Sequence, residues 1–267
     1  NNGWFQVRIP LNGFKRKVGE PSFGTVEAVR LWLTGAQDEV LIRITEFNLI
    51  GNQWEELVKN DSTFRVGVVN VEDNPDYRSP SSLPRQRDPN QPDQIILLNE
   101  QSLDLLVNGL KDGESRQAIK RFPTRPLDLF SYRAMRMFVH GDERPGTRIH
   151  YTDTTNYDLE VFLRFGIDSL NYYEYRAPIQ PGWDLNDINV SFAEITAIKL
   201  NRDSSNFSAR VPVPGGPPGA TYQVRGLPTL TNIRQIVVGV QNPANKGPTV
   251  VVTEVWINEL RLTDVDN

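Results

Sequence analysis

Along most of this chain, apolar and polar residues alternate in short runs. In AVRLWLTG (28–35), Val29, Leu31 and Leu33 fall on one side of an extended backbone and Arg30 and Trp32 on the other. Apolar groups on both sides predict a central strand covered on both faces. AMRMFVHG (134–141) and NIRQIVVG (232–239) have the same form, with Arg30, Arg136 and Arg234 at the third position and Gly35, Gly141 and Gly239 closing each run. Each is followed, after a variable gap, by a strand opening with Glu-Val: EVLIRI (39–44), EVFLRF (160–165) and EVWINEL (254–260). A two-strand unit used three times marks a duplicated β-architecture.

The remaining elements follow from the same pattern. WFQVRIPL (4–11) reads as a strand ended by Pro10, and near matches return as YYEYRAPI (172–179) and YQVRGLP (222–228). FRVGVVNV (64–71) predicts another strand. From Asp73 to Pro92, five prolines and few apolar residues predict a long surface loop. In QIILLNEQSLDLLVNGL (94–110), Ile95 to Leu98 predict a buried strand. Leu103, Leu106, Val107 and Leu110 have helical spacing, so the expectation is a strand followed by a short helix. Residues 158–176 predict two strands around a turn near Asp168 and Asn171. INVSFAEITAIKL (188–200) predicts a strand or short helix, and RVPVPGGPPGA (210–220) a Pro/Gly loop.

Many short strands with Gly/Pro turns predict a mainly β fold, an antiparallel β-sandwich of jelly-roll type. Residues 4–51 and 222–262 read as the same closing half of a module. Residues 1–56 are therefore expected to be the C-terminal half of a first β-module, and residues 57–267 a complete second sandwich module. The repeat-unit positions Val29, Leu31, Met135, Met137, Ile233 and Val237 are expected to be buried.

With 267 residues, 38% hydrophobic and 23% charged, the chain can bury a substantial core. The net charge of −4 gives no sign of a nucleic-acid surface, although 22 of the 29 basic residues are Arg. There is no cysteine, which excludes disulfides and thiolate metal sites. No run approaches the length of a membrane helix. The start at NNGWFQ, without an initiator Met or signal peptide, reads as a piece of a longer polypeptide.

Candidate chemistry is sparse. His140 and His150, with Asp142, Glu143 and Asp153 nearby, offer metal-ligand types, but an inter-strand loop accounts for them equally. No nucleophile motif accompanies either histidine, so no catalytic residue is assigned and no cofactor is expected. Asp73, Asn74 and Asp76 crowd oxygen ligands where a β-sandwich could hold a structural calcium, though without EF-hand spacing. Tyr172, Tyr173, Tyr175 and Trp183 are the aromatic set for a glycan platform. Adjacent Tyr172 and Tyr173 point to opposite faces of a strand, so only part of the set can form one surface. Arginine on an apolar strand needs a carboxylate or several carbonyls, and Glu39, Glu160 and Glu254 recur in the same units. No pairing between them is obvious from spacing.

LNEQSLDLLVNGL (98–110), YRAMRMFVHGD (132–142), DLEVFLRFGIDSLNYYEYRAPI (158–179) and EVWINELRLTD (254–264) resemble the SprA/Sov family, the outer-membrane translocons of type IX secretion. The similarity spans roughly residues 95–265, and residues 1–54 resemble the end of a preceding segment of the same protein. The resemblance implies a very large single-chain β-barrel that exports folded cargo with a C-terminal sorting signal and supports gliding motility in some members. It also implies a PorV-type partner barrel, a periplasmic plug protein and secreted cargo as partners, beside the remainder of the parent chain. No array of transmembrane β-strands is evident. The implied role is a non-enzymatic, β-rich domain of the translocon that braces or lines the export route, in the cell envelope at the outer membrane. The alternative is a carbohydrate-binding β-sandwich of a secreted or surface protein.

Overall fold

The computed structural model describes residues 15, 16, 18, 28–38, 40–44, 54–59, 61–81, 100–201, 203 and 206–265. The chain divides into two units, Asn1–Leu49 and Ile50–Asn267. The second unit starts with β1 (Glu55–Glu56), β2 (Phe64–Asn70), β3 (Gln101–Lys111), β4 (Ser115–Arg121) and β5 (Tyr132–Gly141). It continues through β6 (Tyr151–Asp153), β7 (Asn156–Tyr157), β8 (Glu160–Asp168), β9 (Asn171–Pro178) and β10 (Asp187–Ser191). Helix α1 (Phe192–Ala197) and a 3-10 turn (Ile198–Asn201) lead to β11 (Val211–Pro212), β12 (Thr221–Arg225), β13 (Gln235–Gln241) and β14 (Val250–Val265).

Seven strands form one sheet in the order β1-β4-β13-β8-β9-β12-β11, and five form a second, β10-β5-β14-β3-β2. All their pairings are antiparallel. The inner faces share one core. Leu105, Val107, Met137, Val139, Val255 and Ile257 come from the five-stranded sheet, and Val161, Leu163, Phe165, Tyr173, Tyr175 and Val238 from the seven-stranded one. Each such aliphatic side chain contributes roughly 1.5–3 kcal/mol by leaving water. The antiparallel sandwich expected from the alternation is thus the observed architecture.

The repeat units behave in a way that their sequence does not reveal. The Arg strand of the second unit, β5, lies in the five-stranded sheet, and its Glu-Val follower, β8, lies in the seven-stranded one. The third unit does the reverse, with β13 in the seven-stranded sheet and β14 in the five-stranded sheet. Neither unit is a hairpin. Instead β5 pairs with β14 and β13 with β8, so each unit supplies the other's neighbour. Met135, Met137, Ile233 and Val237 are buried as expected.

Residues of the first unit are different. The described residues 28–38 and 40–44 contain no strand, and Val29 and Leu31 are exposed, Leu31 at 66%. Alternation selects which side chains share a face. It supplies neither the ladder partner nor the opposing sheet that burial requires. The strand expected at 4–11 lies outside the described residues.

A second correction concerns residues 101–111, which form strand rather than helix. Leu103, Leu105 and Val107 alternate inward, and then Gly109 (φ 89°) is inserted between the pairs Asn108↔Val252 and Leu110↔Val251. This bulge returns Leu110 to the inner face, where it is fully buried. The spacing Leu103, Val107, Leu110 imitates a helix because one residue has been added to a strand. Ile95–Leu98 lie outside the described residues.

The proline-rich stretch is described only to Ser81. That part is not a simple surface loop, because Tyr77 is buried against Trp256 and Val69. Residues 188–200 supply both elements expected of them. The strand β10 ends at Ser191, whose Oγ accepts the backbone N–H of Glu194 and so caps α1, and Phe192 and Ile195 face the core. At 210–220 the chain forms the short strand β11 beside β12 before its turn.

Burial therefore predicts a sharp contrast in mutational cost. Leu105→Ala and Met137→Ala should each destabilise by about 2–5 kcal/mol. Leu31→Ala, though taken from a nearly identical sequence word, should change stability by no more than about 0.5 kcal/mol. Urea unfolding of the three variants checks this, and a large cost at Leu31 would show that its side chain is covered in solution.

Candidate functional site

The outer face of the seven-stranded sheet is built from the alternate positions of its strands. One row across β4, β13, β8, β9 and β12 reads Ile119, Val237, Arg164, Glu174, Gln223, and the next reads Gln117, Gly239, Phe162, Arg176, Thr221. A third reads Arg121, Gln235, Gly166, Tyr172, Arg225. Gly239 is required where it stands, since a Cβ there would meet the Phe162 ring at 2.3 Å and the Arg116 carbonyl at 2.5 Å. Phe162 lies in that space, with the guanidiniums of Arg164 and Arg176 at 4.4 and 5.1 Å from its ring centre. Arg164 also covers Tyr172 at 5.0 Å.

Glu174 is the centre of this layer, with its side chain only 1% exposed. Arg164 Nε donates to one carboxylate oxygen at 2.5 Å, while Arg176 Nε at 3.1 Å and Arg210 Nη2 at 2.5 Å donate to the other. Burial alone would raise its pKa, but the three guanidiniums outweigh it and hold the carboxyl at about 2. Arg176 also donates to Glu160 at 3.0 Å and to Gln241. Beside this network lies a groove of about 410 Å³, lined among others by Arg121, Gly166, Asp168, Tyr172 and Arg225.

The outer face of the five-stranded sheet carries a second cluster. Gly67, Asp104, Trp256 and His140 form one row across β2, β3, β14 and β5. His140 stacks on Trp256 with ring centres 4.4 Å apart, and Trp183 leans on His140 at 5.0 Å. Tyr77 closes the other side of Trp256 at 5.3 Å, and its hydroxyl meets Ser102 at 2.7 Å. Trp183 Nε1 donates to the Arg78 carbonyl, so the segment that carries Tyr77 is fastened at two points. Arg144 bridges Asp142 and Glu254 at the edge of this cluster.

Asp104 sits among these groups in an unfavourable setting. Its Oδ1 is buried without a hydrogen-bond partner among the described residues. Burial and the negative charge of Glu254 raise its pKa to about 7, against the opposing pull of Arg144. His140 is shifted the other way, held neutral mainly by burial.

The structure separates the aromatic set singled out in the sequence. Tyr172 lies under Arg164 at the groove, while Tyr173 and Tyr175 are in the core. Burial raises the Tyr173 phenol to about 12, and its hydroxyl donates to the Pro228 carbonyl at 3.0 Å. Trp183, in the connection between β9 and β10, packs on His140 against the other sheet. His140 packs against tryptophans, and His150 Nδ1 is 3.0 Å from Asp158. Among the described residues, no three His, Asp or Glu side chains are placed to hold a metal. Asn70 donates to Asp73 Oδ2 and to Asn74 Oδ1, so these oxygens serve the turn after β2. The recurring glutamates, for which spacing suggested no partner, pair with arginines outside the repeat position: Glu160 meets Arg176 and Glu254 meets Arg144. Sequence reasoning passed over Glu174, Arg176, Arg210 and Asp104. Glu174 and Arg176, two apart in β9, share a face, while Arg164 comes from β8 and Arg210 from the segment before β11.

A family model described as SprA_N, motility related/secretion protein, matches residues 1–267. No curated protein matches the sequence. A solved structure of an exo-β-agarase is similar to this chain with a TM-score of 0.45 and 12% identity, over 84% of this chain. The chain spans about a quarter of that structure, 24% of its length. No helix among the described residues is long and apolar enough to cross a membrane.

Glu174→Gln should destabilise the sandwich by about 3 kcal/mol, the lower end for a broken buried pair, because Arg164 and Arg210 can turn their charges toward water. Asp104 gives a pH signature of defined sign. Its folded pKa, about 7, exceeds the ordinary carboxyl value of 3.8, so the native state binds the extra proton between these values. Stability from this group is complete below about pH 4 and is lost as pH rises toward 7. The stability difference between Asp104→Asn and the native chain should therefore shift in favour of the variant across that range, by at most about 1.4 kcal/mol per pH unit. Urea midpoints at several pH values measure it, and a difference independent of pH would contradict the assignment.

Proposed function

The chain belongs to the SprA_N family of motility-related/secretion proteins, and from that premise we propose that it is a non-enzymatic structural domain of an outer-membrane secretion translocon, bracing or lining the export route. The match over residues 1–267 is the observation that carries this reading. Membership also supports a cell-envelope location. The geometry is consistent with a bracing role. Charged side chains on the outer face of the seven-stranded sheet are spent largely on one another, around Glu174, and stiffen the sheet. In this reading the partners are the rest of the parent chain, a PorV-type barrel, a plug protein and exported cargo.

The groove beside Tyr172 favours a second reading, a glycan-binding sandwich, since it offers about 410 Å³ with polar side chains along its wall.

Deleting residues 57–265 from the parent protein separates the two. The secretion reading expects sorted cargo to disappear from the cell surface while the truncated parent is still detected in the outer membrane. Normal export after the deletion would overturn it. Saturable glycan binding by the isolated chain, lost on Tyr172→Ala, would promote the second reading.

A further inference from the structure

The groove of about 410 Å³ on the outer face of the seven-stranded sheet is built into the backbone. It lies along the row Arg121, Gln235, Gly166, Tyr172, Arg225. The middle place of that row has no side chain, and none fits. A Cβ on Gly166 would overlap the Asn171 carbonyl oxygen and come within 2.6 Å of Tyr172 Cα. Ile119 and Val237, neighbours in the next row, form an apolar floor beside the gap, and Leu57, 44% exposed, adds an apolar wall.

The charge around this floor is one-sided. Three arginines line the groove, Arg121, Arg164 and Arg225, against one carboxylate, Asp168. Asp168 is occupied within its own turn, by the Leu170 N–H and the Asn171 amide. Arg164 is committed to Glu174. Arg225 has no carboxylate partner among the described residues. Its guanidinium lies over the Phe207 ring at 4.8 Å and donates to the Ser169 carbonyl at 3.1 Å, which fixes it in place. Arg121 reaches Glu55 at 3.2 Å with both side chains at least half exposed, a pair that water and salt keep weak. The row therefore ends, on each side, in a guanidinium with donors to spare for an anion.

We propose that the groove is an interaction surface for an extended acidic peptide segment of another protein, laid across the strands with one carboxylate on Arg225 and a second on Arg121. The span sets the spacing. The row crosses five strands, so its ends are four inter-strand steps apart, about 19 Å. An extended chain covers that distance in about six residues, an even number that brings both carboxylates to one face. The alternate residues between them face the Ile119–Val237 floor, which suits short aliphatic side chains. Neither aromatic residue at the groove has an open face for stacking a sugar. Phe165 is in the core, and Tyr172 is 7% exposed beneath Arg164. This occupant is additional to the bracing role and differs from the glycan of the second reading.

The probe is a fluorescein-labelled seven-residue peptide with glutamate at both ends, valine at the third and fifth places and threonine between. Polarisation titration against the chain should give saturable binding that weakens as salt is raised. Replacing both glutamates by glutamine, or moving them to adjacent places, should weaken it at least roughly tenfold. Arg225→Gln and Arg121→Glu should do the same. Arg121 is half exposed, so Arg121→Glu should keep the native urea midpoint. That variant should also regain binding when one end of the peptide is lysine, a result that loss of folding does not give. No saturable binding of the glutamate peptide to a chain with the native urea midpoint overturns the proposal. So does equal binding of the glutamine-ended peptide, or affinity unchanged in both variants. Polygalacturonate bound where the peptide is not returns the groove to the glycan reading and overturns it as well.

Discussion

A strand in a sandwich needs two things that it cannot supply alone, a hydrogen-bonded neighbour and an apolar surface facing it. This molecule meets both requirements by crosswise exchange. β5 and β8, one repeat unit, lie in different sheets, and each is completed by a strand of the other unit, β14 and β13. Joining strands across the sandwich places Met137, Val139, Val255 and Ile257 opposite Val161, Leu163, Phe165 and Val238 in one core. The rest of the fold is arranged about these four strands. β9 and β12, themselves near-repeats in sequence, extend the seven-stranded sheet, and β3 extends the other with a bulge that keeps Leu110 inside.

With the inner faces given to hydrophobic burial, the two outer faces were solved differently. On the seven-stranded sheet the chain uses charge: Glu174, withdrawn from water, is held ionised by three arginines, two of which also cover the Phe162 ring. Burial of a carboxylate is tolerated there because its counter-charges outweigh desolvation. On the five-stranded sheet the chain uses aromatic packing, with His140, Trp256, Trp183 and Tyr77 in a continuous cluster under the segment that follows β2. Asp104 is the exception. It borders that cluster with an unpaired oxygen and lies near Glu254, so neutral pH is close to its own titration.

Little of the central strands of the seven-stranded sheet is left uncovered. Strands β8 and β9 have both faces occupied, and the side chains that could have served as a reactive constellation are tied into structural contacts.

The sequence by itself determined the class of fold, because period-two alternation reports directly which side chains share a face. It also determined the ends of β5, β8 and β9, where glycine, proline and Asp-Asn turns interrupt that period, whereas β13 runs on past Gly239 to Gln241. Tertiary structure decided everything that depends on a neighbour. Leu31 and Met137 occupy equivalent words, and one is exposed and the other buried, because only the second has a ladder partner and an opposing sheet. Leu103, Val107 and Leu110 looked helical because the effect of an inserted glycine on facing is visible only against β14. Glu174 was unremarked because its three arginines are contributed by β8, by β9 and by the segment before β11, at sequence distances that no local pattern records. Local alternation is a property of one strand. The partner, the register and the charge environment belong to strands brought together from far along the chain.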